Sequence, residues 1–192
     1  QNKITWSADG RTPILGRARK LAAILLLRCF VHTQKLKKMA PYHICKQLVE
    51  YLVLSKLDYA AAVFYPLPLY QLKRLQRVQN ACTGFVLGRY ANENDLHTLN
   101  WLPMSKRRDF IVLKLVYKAL HDKNWPSYLA LEKREVGKYN LRSMGATTLK
   151  VPRVVGTFQE TSAQLFNKLP PEIRETHDFN AYCRLIKAHL TS

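Results

Sequence analysis

From Phe110 to Leu120 every residue except Lys114 and Lys118 is apolar. A helix over this stretch is apolar almost all round, so most of its surface must be buried. At about 100° per residue, Arg107, Lys114, Lys118 and His121 fall in one narrow strip of that cylinder. Ser105 is the expected N-cap. Upstream, Leu72, Leu75, Gln79, Cys82 and Phe85 recur at helical spacing and make one mostly apolar face, with Lys73, Arg74 and Arg77 on the opposite side. A single charged stripe is usually just a solvated face. Here the sign is uniform: no acidic residue stands between Lys73 and Arg89, and only Asp109 interrupts Lys106 to Lys118. Ordinary surface helices mix signs so that charges pair at i,i+4.

The same bias runs through the whole chain. Lys and Arg number 31 against 13 Asp and Glu, a net charge of +18. Such an excess repels itself in a compact state, which a polyanionic partner offsets. Nucleic acid is the first candidate and an anionic membrane surface the second. Leu21 to Leu27 is far short of the ~20 apolar residues of a spanning helix. No secretory signal with a small-residue cleavage site is present. The first residue is Gln rather than Met, so the chain reads as a fragment, a processed product or a partial gene model. Cysteines 29, 45, 82 and 183 have no paired spacing, which predicts free thiols and a reducing compartment.

Along the chain, periodicity predicts a helix over Arg17–Lys38, on which Arg17, Arg28 and Lys35 project the same way. A second opens at Pro41 and buries Ile44, Leu48, Tyr51 and Leu52. An apolar helix from Leu57 to Tyr65 is stopped by Pro66 and Pro68. Residues 132–138 are charged and unpatterned, a hinge or linker. Between Tyr139 and Val155 short alternations predict two strands. Thr157 to Glu160 has the capping-box form and opens a helix closed by Pro170-Pro171. Asp178 caps a last helix with Phe179, Tyr182, Cys183, Ile186 and Leu190 on one side.

Several of these segments carry a resemblance. Leu75-Gln76-Arg77-Val78-Gln79-Asn80-Ala81, then Leu99-Asn100-Trp101-Leu102-Pro103 with Arg107 following, resembles the segment just after the polymerase core in LINE-type, Jockey-like non-LTR retrotransposon reverse transcriptases. Leu57-x-Tyr59 and the small and aromatic residues after it, Pro126-Ser127-Tyr128-Leu129, Leu141-Arg142-Ser143 and Phe166-Asn167-Lys168-Leu169-Pro170 are similar to further spaced motifs of that family. Together they span roughly residues 15 to 190. The chain departs where the family has Arg, carrying Thr83 and Gly84, and it has Phe166 where the family has Trp.

The resemblance implies a mainly α fold. A thumb-like helical bundle over 1–131 would be followed by a small α segment, 132–192, with a short β-hairpin and two helices. It implies a parent polyprotein that copies its own RNA into DNA, with magnesium only in the polymerase core. This piece would grip an RNA–DNA or DNA duplex by its backbone, inside the cell, in nucleus or cytoplasm, with no membrane partner.

Catalytic patterns are wanting. Reverse transcription needs clamped metal ions and neighbouring carboxylates. The six Asp stand at 9, 58, 95, 109, 122 and 178, none adjacent to another. A nuclease would have to use Asp122 with Glu132, Glu135 and Lys138, in a linker ill suited to a rigid metal site. Cys29, His32, His43 and Cys45 supply zinc-type ligands, but Cys29 and His32 fall inside an expected helix, and one intervening residue on a helix points His43 and Cys45 apart. Trp101 and Trp125 adjoin prolines in turns and read as packing anchors. The expectation is a non-catalytic chain without cofactor whose nucleic-acid-binding residues are Lys73, Arg74, Arg77, Arg107, Lys114 and Lys118, with Arg17, Arg28 and Lys35 behind them. The rival readings are a basic interaction or scaffold remnant meeting an acidic protein, a metal-dependent nuclease built on Asp122 and Glu135, and a decayed copy.

Overall fold

The computed structural model describes residues 40–59, 61–91, 94–134 and 147–191. The expected helix over Arg17–Lys38, with Arg17, Arg28 and Lys35, lies outside them. So do residues 135–138 of the expected linker and the Leu141-Arg142-Ser143 triplet. By spatial contact the chain groups into two units. One takes residues up to Tyr59 together with Ala81–Ala91, and the other takes Ala60–Asn80 and Asn92–Ser192.

In the first unit, α1 (Tyr42–Val49) starts after Pro41, passes through a π-helical turn at Glu50–Leu54 and runs on as α2 (Ser55–Asp58). Its buried side is Cys45, Val49, Val53, Leu54 and Leu57. The expected face is corrected: Ile44, Tyr51 and Leu52 are exposed. Apolar residues ring this segment nearly all round, so periodicity does not single out one face. The i→i+5 turn also rotates the residues beyond it about the helix axis.

α3 (Leu69–Leu87) gives its residues from Ala81 on to this unit, with Cys82, Thr83, Phe85 and Val86 buried. It ends at Gly88, whose φ of 77° suits a residue without a Cβ, and whose N–H bonds the Gly84 carbonyl at 2.9 Å. A Cβ at Gly84 would stand 2.9 Å from the Arg89 carbonyl oxygen. The returning chain thus requires a glycine at position 84.

The second unit begins with a departure. The helix expected to continue to Tyr65 stops at Asp58, and residues 61–64 form turns. In a helix the Ala61 carbonyl would accept from Tyr65 N–H. Instead it accepts from Arg108 Nη2 at 2.7 Å, and Tyr65 N–H goes to Ala62 at 3.3 Å.

A short helix, α4 (Asp95–Thr98), then ends in a Schellman turn. Asn100 takes the left-handed conformation (φ 58°), Asn100 N–H bonds His97 O at 2.9 Å and Trp101 N–H bonds Leu96 O at 2.8 Å. Leu96, Leu99, Trp101 and Leu102 are all buried. The Leu-Asn-Trp-Leu-Pro motif is therefore a helix stop, with Asn at the position that favours it and apolar side chains seated around it.

Helix α5 (Met104–His121) comes next, with Pro103 rather than the expected Ser105 at its N-cap. Met104 N–H, an orphan of the first turn, is taken by Gln76 Oε1 at 2.8 Å. Leu113, Val116 and Tyr117 of α5 share a core with Leu149, Ala163, Phe166, Leu169, Ile173, Tyr182 and Ile186. Those residues lie on or beside α6 (Phe158–Asn167), α7 (Pro171–Arg174) and α8 (Phe179–Thr191). This core draws on residues from both sides of the 131/132 division read from the sequence.

The caps expected for the last helices are present. Thr157 Oγ1 accepts from Glu160 N–H at 3.2 Å, and Asp178 Oδ2 accepts from Ala181 N–H at 2.7 Å. Glu160 Oε2 in turn accepts from Gly156 N–H at 3.2 Å.

Mainly α is the observed class, and the hairpin finds no support: among the described residues there is no strand, and residues 139–146 of the expected pair lie outside them. One antiparallel bridge pairs Lys133 with Leu149, flanked by Arg134 N–H to Thr148 O at 2.8 Å and Lys150 N–H to Glu132 O at 2.9 Å. The backbone groups of Leu149 turn the other way and are both taken by the Asn167 amide, at 2.8 and 2.9 Å. A side chain stands where the next strand would be. Among the described residues no helix is long and apolar enough to cross a membrane.

Candidate nucleic-acid interface

Lys73, Arg74 and Arg77 are exposed on α3, on the face turned away from buried Gln79. Their helix is fixed from the opposite side by a chain of amide hydrogen bonds. Gln76 Nε2 donates to Gln79 Oε1 at 3.0 Å and to Asn80 Oδ1 at 2.8 Å, and Gln79 Nε2 donates to the Leu102 carbonyl at 2.8 Å. With Met104 N–H on Gln76 Oε1, the two glutamines clasp α3 to the turn before α5. Gln79 is 0% exposed, so the residue counted on an apolar face is a buried polar tie. The cations are mounted on a firmly seated rod.

On α5 the expected strip is present but uneven. Lys118 and His121 are exposed, while Arg107 and Lys114 are half-buried. Lys114 Nζ lies 5.5 Å from the Phe110 ring centroid and 6.0 Å from that of Phe179, so part of its charge faces aromatic rings of α5 and α8. His121 stacks on Tyr117 with centroids 4.1 Å apart, and its Nδ1 meets the Tyr117 carbonyl at 2.9 Å. Within each helix the basic residues share one face, so there are two cationic faces on two helices. Arg107 makes further polar or electrostatic contacts of its own. Among the described residues, none of Lys73, Arg74, Arg77, Lys114 and Lys118 forms an ion pair with a carboxylate.

Arg108 is different. It is 5% exposed and spends its charge on the Ala61 carbonyl, out of reach of any phosphate. Its neighbour Asp109 accepts from the Tyr65 hydroxyl at 2.7 Å. Burial lifts the Asp109 carboxyl above its ordinary range, although Tyr65, Lys106, Lys168 and Arg108 oppose the shift. Burial also raises the Tyr65 hydroxyl, helped by its bond to Asp109. This cluster is structural: it secures the non-helical stretch at 61–65.

Other expected chemistry finds little geometry. Asp122 Oδ1 accepts from Asn124 N–H at 2.9 Å in the turn after α5, Glu132 pairs with Lys150 at 2.8 Å, and Glu135 and Lys138 lie outside the described residues. Among the described residues no three His, Cys, Asp or Glu are placed to hold a metal ion. Cys45 is buried and faces the Ala40 carbonyl at 3.5 Å, His43 is exposed, and Cys29 and His32 are not described. Trp101 is buried, and Trp125 donates from Nε1 to the Leu129 carbonyl at 2.9 Å. Both anchor turns.

Charge periodicity alone does not single out Tyr70. It is 61% exposed and precedes Lys73, Arg74 and Arg77 by three, four and seven residues, on the same face of α3. Its spacing is visible in the sequence, but an aromatic at a helix start reads as core until exposure is known. No protein-family model, no curated protein and no solved structure matches the chain.

Proposed function

We propose that this chain is a non-catalytic nucleic-acid-binding segment of the kind that follows the polymerase core in LINE-type retrotransposon reverse transcriptases. It holds a template–primer or target duplex through phosphate contacts from Lys73, Arg74, Arg77, Arg107, Lys114 and Lys118, within the nucleus or cytoplasm. The observation that carries this reading is the outer face of α3, where Lys73, Arg74 and Arg77 are exposed and, among the described residues, unmatched by carboxylates, in a chain of net charge +18. Contacts of this sort position a duplex without reading its bases. The shared motifs support the lineage.

Fluorescence anisotropy with a random-sequence duplex tests the proposal. If ~6 phosphates are neutralised, affinity falls on the order of 10³-fold between about 50 and 200 mM salt. Lys114→Glu with Lys118→Glu weakens binding and reduces the salt slope by about 2. No binding near physiological salt would favour the scaffold reading, and unchanged affinity in the double variant would remove α5 from the interface.

A further inference from the structure

Tyr70, Lys73, Arg74 and Arg77 follow one another at i, i+3, i+4 and i+7, so at about 100° per residue they share the side of α3 opposite Gln79, Cys82 and Val86. The Tyr70 ring is left outside the core, and its hydroxyl accepts from Gln71 Nε2 at 2.8 Å, a contact that leaves the ring faces open. A grip on duplex backbone uses cations and polar tips, a tyrosine hydroxyl among them, but has no use for an aromatic ring face. An exposed aromatic among them offers what a stacked duplex cannot use along its length, a π-surface for an unpaired base.

We infer that this face of α3 takes single-stranded nucleic acid, with Tyr70 stacking on one unpaired base and Lys73, Arg74 and Arg77 meeting the flanking phosphates. The inference rests on the nucleic-acid reading above and changes the preferred form from duplex to strand. From Tyr70 to Arg77 the helix advances ~10 Å, about three nucleotides at the ~3.4 Å rise of a stacked strand. The footprint is short and binds any sequence, because every base has a π-face and none of the four side chains is placed to read a base edge in a defined register.

Anisotropy titrations of the full chain with a short oligothymidine strand and with a short random duplex decide it. Tyr70→Ala lowers strand affinity by roughly 5- to 150-fold, the range of base–aromatic stacking, and leaves duplex affinity within about twofold of the parent. Tyr70→Trp restores strand binding. Replacing Lys73, Arg74 and Arg77 by Gln weakens both and takes about 2 from the strand's salt slope. Parent-level strand affinity in Tyr70→Ala overturns the inference, as does equal loss on strand and duplex. A parent that binds duplex but not the strand overturns it while leaving the proposed function standing. A parent that binds neither, or prefers polyglutamate, overturns both.

Discussion

Gln79→Leu tests the clasp between α3 and α5 directly. Leucine roughly keeps the volume of this fully buried side chain but takes away its amide. The Leu102 carbonyl then loses the donor that stood 2.8 Å away, in a residue only 5% exposed. A buried acceptor stripped of its partner costs about 1–3 kcal/mol. Gln76 suffers less, because its Nε2 keeps Asn80 Oδ1 at 2.8 Å. The net loss of about 1–3 kcal/mol lowers Tm by roughly 2–12 °C for a chain of this size. Gln79→Ala adds a cavity and costs more. Far-UV circular dichroism melts measure both, and duplex binding below Tm stays unchanged because the side chain points inward. A Gln79→Leu protein melting at or above the parent temperature would refute the clasp.

Other consequences are as concrete. The raised Asp109 carboxyl means that the folded chain holds that proton more tightly than the unfolded one. Its contribution is therefore complete below the ordinary value of 3.8 and is lost as pH rises through the raised folded value. Asp109→Asn keeps an oxygen for the Tyr65 hydroxyl and lacks this loss, so urea midpoints of variant relative to parent climb with pH across the carboxylate range; parallel profiles would contradict it. Burial pushes the Cys82 thiol up to about 12, so alkylation of native protein at mildly alkaline pH spares Cys82 while denatured protein is labelled, as peptide mass mapping would show. Thr157→Ala removes the acceptor for Glu160 N–H and lowers stability by ~1 kcal/mol in denaturant titrations.

How much of the fold is legible in the sequence depends on the range of the forces involved. The helices at 69–87 and 104–121 are read from periodicity, and those at 158–167 and 179–191 from periodicity and caps, because those signals lie within a few residues of one another. The segment from Tyr42 to Asp58 has apolar residues on nearly every side, so only its neighbours decide that Cys45, Val49 and Val53 go inside. The non-helical path of residues 61–65 is tied to Arg108, far along the chain, claiming the Ala61 carbonyl. That Leu149 bonds a side chain rather than a further strand depends on Asn167, 18 residues on. The basic side of α3 is visible as charge, while its aromatic member needs an exposure that no local pattern gives. Asn100, Gln76, Gln79 and Asn167 turn out to be architectural: they hold backbone in place, and none of them lies on a cationic face.

The pairing of Asn167 with Leu149 has a consequence for how this protein behaves at high concentration. An extended segment with unclaimed amides and carbonyls recruits other extended chains and seeds aggregation. Here Lys133 lies along one side of Leu149 and a single carboxamide takes both backbone groups on the other, so no further chain can pair with Leu149 itself. In a protein with several exposed tyrosines, that one asparagine closes the inner side of the bridge to a further strand.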